Sequence, residues 1–288
     1  MQAHHDVYQH SGKLGPSLIL LPLLSLIGAT ICSYIYAYVD VYSPIAGWIS
    51  LLFVGGFAFG VAMTVGLVGK LTRCRNPLYM RAVGFFIGCF ALYTSWVIFL
   101  FAMMNKGEGT EASLLAMFLE PGKIWAIIQL LAETGWYSLK GNTISGGLLW
   151  TFWAIEALIV VGGATFGSEM SISDELYCEN CDVWCKHTAD VHLQLPEDNS
   201  AYEQLKVGSL HEIEQLAVAN AETFPRIQLA TQCCESCQNT AGFMVKVVTQ
   251  TLDKEGKASN DTKELSPLLL PGHNNFQRLL KLGERPLG

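Results

Sequence analysis

Cysteine is the residue type whose spacing in this chain most clearly indicates chemistry. The 288-residue sequence has nine cysteines, and two segments that contain them are nearly repeats, Cys178-Glu-Asn-Cys181 and Cys234-Glu-Ser-Cys237. A Cys-x-x-Cys turn presents two thiolates to one metal ion, and a second such turn completes a tetrahedral Cys₄ set. The spacing therefore predicts a zinc site at these four cysteines. Four thiolates leave no open coordination position, so this zinc would be structural.

Two other roles for these cysteines stay open. Each Cys-x-x-Cys pair can be a redox-active dithiol, or the thiols can be unpaired core and surface residues. Four further residues are spare ligands or candidates for a second site: Cys185, Cys233, His187 and His192. Three cysteines in the first half of the chain fit helix packing better than ligation: Cys32, Cys74 and Cys89.

Residues 178–252 resemble zinc ribbons, in which two cysteine knuckles are joined by β structure. The resemblance rests on the four cysteines of the two knuckles and implies a bound zinc ion. The chain departs from the ribbon pattern in two ways. Residues 182–233 put 52 residues between the knuckles, where about 15–20 are usual, so a helical insertion is expected. Asp182 also stands where zinc knuckles often have glycine.

The composition indicates a membrane domain that precedes these cysteines in the sequence. Hydrophobic residues make up 51% of the chain and charged residues 15%, against about 25% charged in soluble domains. No charged residue occurs in 17–39, 45–69 or 82–104, and 144–168 contains only Glu156. Each segment exceeds the roughly 20 residues that cross a bilayer. A wholly soluble enzyme, a secreted disulfide mini-protein and a disordered chain are therefore excluded.

The predicted fold is a membrane all-α domain of four transmembrane helices, followed by a small soluble α+β domain. Residues 1–16 are a short polar leader, expected to be disordered, whose His4, His5 and His10 are at most weak metal ligands. The four spans occupy residues 17–168. Residues 169–288 form the zinc-ribbon-like domain.

Charge in the short loops predicts the orientation of the spans. The 70–81 loop carries four basic residues and no acidic one, whereas the first loop carries only Asp40. Because basic loops stay on the cytoplasmic side, both termini are expected in the cytoplasm of a multi-pass inner or plasma membrane protein. Six tryptophans fall near the outer boundary, as aromatic belts do: Trp48, Trp96, Trp125, Trp136, Trp150 and Trp153.

The outer loop contains two apolar pieces within residues 112–132 that are too short to span the bilayer. Pro121-Gly122 separates them. They are interfacial helices or a re-entrant pair that lines a cavity.

Small residues recur at a spacing that lets transmembrane helices approach closely. The pairs are Gly56 and Gly60, Gly84 and Gly88, and Gly163 and Gly167. They favour a compact four-helix bundle, and the same glycines could instead serve a homo-oligomer.

Glu156 is the one charged residue within the predicted spans. A charge at bilayer depth costs about 3 kcal/mol, so a glutamate there is protonated or paired. It is a proton- or ion-handling group, or a protonated side chain that hydrogen-bonds between helices. Its candidate partners are neutral: Thr64, Tyr93, Thr94 and Ser95.

Alternating and helical patterns in the last third predict an α+β module. Strands are expected at 189–195, 226–232, 242–252 and 262–270, with a turn after Asp253. Helices are expected at 199–222, interrupted near Gly208, and at 274–283. Residues 169–288 hold 18 acidic and 10 basic residues, a net charge of −8, which argues against nucleic-acid binding. A protein partner fits better. Leu268–Leu270 and Leu279–Leu282 either contact that partner or dock on the domain's own core.

No P-loop, nucleophile elbow, zincin or dinucleotide motif occurs, which disfavours an enzyme without excluding one. In general pattern the chain resembles uncharacterised bacterial four-span membrane proteins with a zinc-ribbon-like tail, and that resemblance implies no activity. The leading hypothesis is a non-enzymatic membrane scaffold or adaptor whose tail binds a protein. The alternatives are a small transporter or channel component that uses Glu156, and a membrane-bound thiol redox protein.

Overall fold

A computed structural model describes residues 6–42, 48–105, 113–135, 137–139, 142–252 and 257–285. Two compact units make up the chain. One is residues 11–173, and the other combines the segment before residue 11 with the chain from Asp174 onward. The first described element, strand β1 (Asp6–Val7), belongs to the second unit.

Four helices of the first unit are long and apolar enough to cross a membrane by length and composition. They are α1 (Ser17–Tyr42), α2 (Trp48–Leu71), α3 (Pro77–Asn105) and α6 (Gly147–Ser173). All four correspond to predicted apolar segments, with ends that differ by up to five residues. Pro77 starts α3 earlier than expected, because proline fits the first turn of a helix. Helix α1 runs to Tyr42, so Asp40 lies in the helix and not in the predicted loop.

Small residues pack the helices of this unit against one another. A Cβ on Gly84 would overlap the carbonyl oxygen of Ala164 and the hydroxyl of Ser168, both on α6. Gly88, Gly163 and Gly167 likewise face a neighbouring helix, and Gly60 faces Cys32. Gly56 has no described atom within 4 Å of an added Cβ. Five of the six predicted glycines therefore serve helix packing within the chain.

The start of the helical unit and the end of α6 lie at the same end of that unit. The four basic residues of the predicted 70–81 loop lie at this end too. The backbone N–H of Arg75 donates to the carbonyl of Lys13 at 3.1 Å. Arg81 Nε donates to Glu169 Oε2 at 2.6 Å. Arg75 is buried, and Arg81 is exposed beside its partner.

Between α3 and α6 the chain forms two short helices and a hairpin. Helix α4 (Leu114–Phe118) ends two residues before α5 (Pro121–Thr134), and Pro121 occupies the first turn of α5. Ile124, Ile128 and Ala132 of α5 are buried, while Trp125 and Leu130 are more than half exposed. The hairpin pairs β2 (Tyr137–Leu139) with β3 (Asn142–Ile144) and was not predicted. Trp136 and the side chain of Trp48, two of the predicted belt residues, lie outside the described residues.

The second unit is built on an antiparallel sheet. Its strands are β6 (Lys186–Gln194), β7 (Arg226–Cys233), β8 (Ala241–Leu252), β9 (Ala258–Glu264) and β10 (Leu269–Leu270). The order is β1-β10-β8-β7-β6, and β9 pairs with the second half of β8. A separate hairpin joins β4 (Tyr177–Cys178) to β5 (Val183–Trp184). The helices are α7 (Asn199–Lys206), α8 (Leu210–Gln215) and α9 (His273–Leu282).

Most of the predicted tail elements are confirmed. The strands at 189–195, 226–232 and 242–252 and the terminal helix occur within three residues of their expected ends. The expected strand at 262–270 is wrong as one element, because Pro267 separates β9 from β10. The 199–222 helix ends at Gln215 and breaks at Gly208, whose φ of 71° favours glycine. Residues 253–256 of the expected turn lie outside the described residues.

The core of this unit includes both leucine segments. Leu269, Leu279 and Leu282 belong to a buried cluster with side chains of β6, β7 and β8. Leu268 packs in a second cluster around the cysteines. Of the two roles predicted for these segments, docking on the domain's own core is therefore the one that these four leucines have.

Residues 6–10 are an ordered part of the second unit. Strand β1 pairs antiparallel with β10, and the backbone N–H of Tyr8 donates to Leu268 at 2.8 Å. The Tyr8 hydroxyl accepts from the backbone N–H of Tyr177 at 3.2 Å. His10 contacts the rings of Tyr8 and Trp184. The expectation of a disordered leader is wrong here, and His4 and His5 lie outside the described residues.

Candidate metal centre

Two backbone turns of matching geometry form the cysteine centre. In the first turn, the N–H of Asp182 donates to the carbonyl of Cys178 at 2.9 Å. In the second, the N–H of Gln238 donates to the carbonyl of Cys234, also at 2.9 Å. Asp182 and Gln238 both have left-handed backbone, with φ of 57° and 55°. The matching conformations explain why glycine is favoured after the second cysteine of such a turn.

Asp182 has a local compensation for its left-handed backbone. The Tyr177 hydroxyl donates to its carboxylate oxygen at 2.5 Å, and short polar side chains tolerate this conformation better than other non-glycine residues. Asp182 therefore replaces the usual glycine and still has the left-handed backbone conformation that the turn requires.

The two turns bring the four predicted cysteines together. The sulfur atoms of Cys178, Cys181, Cys234 and Cys237 all lie within 4.8 Å of one another. Cys178 and Cys234 are buried, and Cys181 and Cys237 are half-buried. All nine cysteines are free thiols. Four sulfur ligands at this separation can hold one metal ion.

Apolar and hydroxyl groups surround the cluster. Leu176, Met244 and Leu268 pack against the cysteines. The Thr240 hydroxyl donates to the sulfur of Cys178 at 3.2 Å. The cluster therefore sits in a partly desolvated site that is fixed by the β4–β5 hairpin on one side and the β7–β8 turn on the other.

The thiols of the cluster differ in acidity. Backbone N–H groups of Asn239 and then Thr240 point at the sulfur of Cys237 and lower its pKa to about 6. Hydrogen bonding to Cys237 raises the pKa of Cys181 to about 12, and desolvation adds to this rise. Of these two thiols, Cys237 therefore ionises first.

The spare ligand candidates lie outside this group. Cys185 is buried, burial raises the pKa of its thiol to about 12, and its sulfur lies 3.9 Å from the carbonyl of Thr240. The Cys233 thiol contacts the carbonyls of Cys234 and Gln238. His187 Nε2 lies 2.9 Å from Asp190 Oδ1. His192 is half-buried on β6, and burial lowers its pKa. Among the described residues, none of these four joins the four-cysteine cluster.

The second predicted site, at Glu156, lies in the helical unit. Glu156 lies on the inward stripe of α6 that also contains Trp153 and Val160. It lines a small cavity of about 30 Å³ together with Asp40 and Ser95. Asp40 was not predicted as a neighbour of Glu156, because the relative rotation of two helices cannot be derived from their separate hydrophobic patterns.

Three of the four expected hydroxyl partners of Glu156 donate to backbone carbonyls instead. Tyr93 donates to the carbonyl of Phe118 at 2.6 Å, and Thr64 donates to that of Gly60 at 2.9 Å. Ser95 lines the cavity, but its hydroxyl donates to Leu92 at 2.8 Å. The Thr94 hydroxyl is buried without a hydrogen-bond partner in the part of the chain that the structure describes.

Comparison of the chain with protein families, with curated proteins and with solved structures finds no match. The cysteine cluster and the membrane-type helices are therefore the features that indicate its function.

Proposed function

We propose that the four-cysteine cluster binds one structural Zn²⁺ ion and that residues 174–285 form a zinc-ribbon-like domain. The donor set supports zinc, because soft thiolates in a tetrahedral group of four suit this ion. Bound at all four sulfurs, the ion would link the β4–β5 hairpin to the β7–β8 turn. Residues 182–233 carry α7 and α8, the helical insertion that the long separation between knuckles requires.

The protein is a membrane adaptor whose zinc-stabilised domain binds a protein partner. The observation that carries this proposal is the sulfur cluster itself. A Cys₄ set has no open position for a substrate, so the metal supports the shape of a binding domain. The net charge of −8 on residues 169–288 favours a partner with a basic surface over nucleic acid.

The domain lies on the cytoplasmic side of a four-span protein in this proposal. The basic residues of the 70–81 segment gather at the end of the helical unit from which both the N-terminal segment and the C-terminal region emerge. Basic residues favour the cytoplasmic side. Thiols there stay reduced and available for zinc.

Co-purification with a matched pair of cysteine variants tests the adaptor function. The full chain is solubilised from its native membrane under reducing conditions, and bound proteins are quantified. Cys178→Ser removes a cluster sulfur, while Cys233→Ser removes a neighbouring thiol outside the cluster. We expect partners to be lost with Cys178→Ser and kept with Cys233→Ser. An unchanged set of bound proteins in both variants would contradict the proposal.

A second candidate function is ion or proton transport through the helical unit. The observation that favours it is the shared cavity of Asp40 and Glu156, because two polar groups are the minimum for a path. Flux is measured in liposomes that contain the full chain, Glu156→Gln, or the exposed control Glu133→Gln. Flux that Glu156→Gln abolishes and Glu133→Gln preserves supports transport, and flux equal to that of empty liposomes opposes it.

A further inference from the structure

An aromatic cleft adjoins Glu156 in the helical unit. Its volume is about 410 Å³, within the roughly 300–1,000 Å³ of small-molecule sites. Five aromatic residues and Glu156 are part of its lining; the aromatic residues are Tyr93, Trp96, Trp125, Trp150 and Trp153. The cleft is thus formed by α3, α5 and α6.

The four tryptophans of the cleft form a continuous chain of rings. The centroids of Trp96 and Trp153 are 5.1 Å apart, and those of Trp153 and Trp150 are 5.5 Å apart, both with nearly perpendicular planes. Trp125 lies 5.3 Å from Trp150 and is half exposed. The faces of aromatic rings carry negative partial charge and attract cations, tryptophan most strongly.

When ionised, Glu156 would give the site a charge of the same sign as the ring faces. Glu156 lines both this cleft and the smaller cavity that contains Asp40. No Lys or Arg appears among the described residues that line either cavity. An ionised carboxylate in such apolar surroundings is stabilised only by a partner of opposite charge. The cleft is therefore complementary to a cation.

We propose that this cleft binds a monovalent organic cation, with its charge near Glu156 and its apolar body against the tryptophans. A small inorganic ion fits less well, because a wall of aromatic rings cannot replace its oxygen ligands. A lipid chain would use the rings but not the carboxylate. The proposal concerns binding alone and is independent of the zinc domain and its partner, and it supplies a ligand class for the second candidate function.

Tetraphenylphosphonium is a suitable probe because tetraphenylborate has nearly the same size and shape with the opposite charge. Binding of each ion to the purified full-length protein in detergent is measured by equilibrium dialysis, with empty micelles subtracted. We expect saturable binding of about one phosphonium ion per chain and no saturable binding of the borate. Equal binding of the two ions would show a site for apolar molecules only and would overturn the proposal.

Variants assign the binding to the cleft. Glu156→Gln removes the charge at constant size, and we expect the phosphonium Kd to rise at least about tenfold, as loss of a charge contact implies. Trp125→Leu, at the exposed rim, is expected to raise Kd about fivefold. Glu133→Gln, an exposed carboxylate at the end of α5, is the matched control and leaves Kd unchanged.

A folding defect is separated from a loss of binding by a conservative variant. Glu156→Asp keeps the charge on a shorter side chain and is expected to bind the phosphonium more tightly than Glu156→Gln at equal thermal stability. Unchanged Kd in both Glu156→Gln and Trp125→Leu would place the ion elsewhere and overturn the proposal.

Discussion

The sulfur of Cys178 lies 3.6 Å from the sulfur of Cys237, although 59 positions separate the two residues along the chain. The contact joins the β4–β5 hairpin to the turn between β7 and β8, and it closes the four-sulfur cluster. Without a bound ion, this contact holds two thiols side by side. With zinc bound, it becomes a crosslink between two parts of the domain, so metal binding and folding are coupled.

In metal-free protein we expect the thiol of Cys237 to be more reactive than that of Cys181. Its lowered pKa, about 6, means that it is mostly thiolate at pH 7, whereas the raised pKa of Cys181 keeps that thiol protonated. Alkylation with iodoacetamide at pH 7, followed by peptide mass spectrometry, should modify Cys237 first. Lowering the pH through 6 should protonate Cys237 and remove its higher rate of alkylation. Bound zinc should protect both residues from alkylation. Equal rates for the two cysteines would contradict the assignment.

Replacing Gln238 by glycine should stabilise the C-terminal domain. Gln238 has a φ of 55°, a conformation that costs a residue with a Cβ about 1 kcal/mol and costs glycine little. The greater freedom of glycine in the unfolded chain offsets part of this gain, so we expect about 0.5 kcal/mol. Chemical denaturation measures the change.

Asp182→Gly is the comparison variant for this prediction. It relieves the same backbone conformation, but it also removes the carboxylate that accepts from Tyr177. Loss of that hydrogen bond costs about 1 kcal/mol, so Asp182→Gly should stabilise less than Gln238→Gly or destabilise. The reverse order of stability would be inconsistent with the turn geometry.

Gly84→Ala should destabilise the helical unit, whereas Gly56→Ala should not. A methyl group on Gly84 meets the backbone of α6, which cannot move aside as a side chain can, and overpacking of this kind costs about 1–3 kcal/mol. An alanine at Gly56 meets open space among the described residues. Thermal unfolding in detergent, followed by tryptophan fluorescence, compares the two variants. Similar losses in both would mean that α3 and α6 do not pack as described.

The pairing of β1 with β10 requires residues 6–7 and the C-terminal region to lie on the same side of the membrane. The proposed orientation places that side in the cytoplasm. An impermeant maleimide added outside intact cells should label Glu133→Cys, at the exposed end of α5, above the background of the parent protein. It should not label Lys186→Cys, on β6. Labelling of Lys186→Cys alone would reverse the orientation.

Local sequence patterns were sufficient for the features that depend on local physics. Apolar runs long enough to cross a bilayer, of which only the fourth contains a charged residue, became α1, α2, α3 and α6, and alternating residues became β6 and β8. The repeated Cys-x-x-Cys spacing predicted the four sulfurs that meet in the cluster. Each apolar or alternating signal is carried by one continuous segment, and each cysteine turn by four consecutive residues.

Features that depend on tertiary arrangement could not be predicted from the sequence. A two-residue strand such as β1 has no periodicity to detect, so the ordering of the N-terminal segment was missed. Asp40 was assigned to a loop because of its charge, and its position opposite Glu156 depends on the rotation of α1 against α6. The left-handed backbone at Gln238 follows from the cysteine turn and leaves no mark in residue type.

The central claim, a structural zinc ion held by four cysteines, is tested most directly by the metal content of the full-length protein purified under reducing conditions. We predict one zinc per chain by elemental analysis. Cys178→Ser and Cys237→Ser should lose the zinc together with the folded C-terminal domain, and Cys233→Ser should keep both. Metal-free protein that is fully folded and readily forms a disulfide within the cluster would contradict the zinc site and favour thiol redox chemistry in its place.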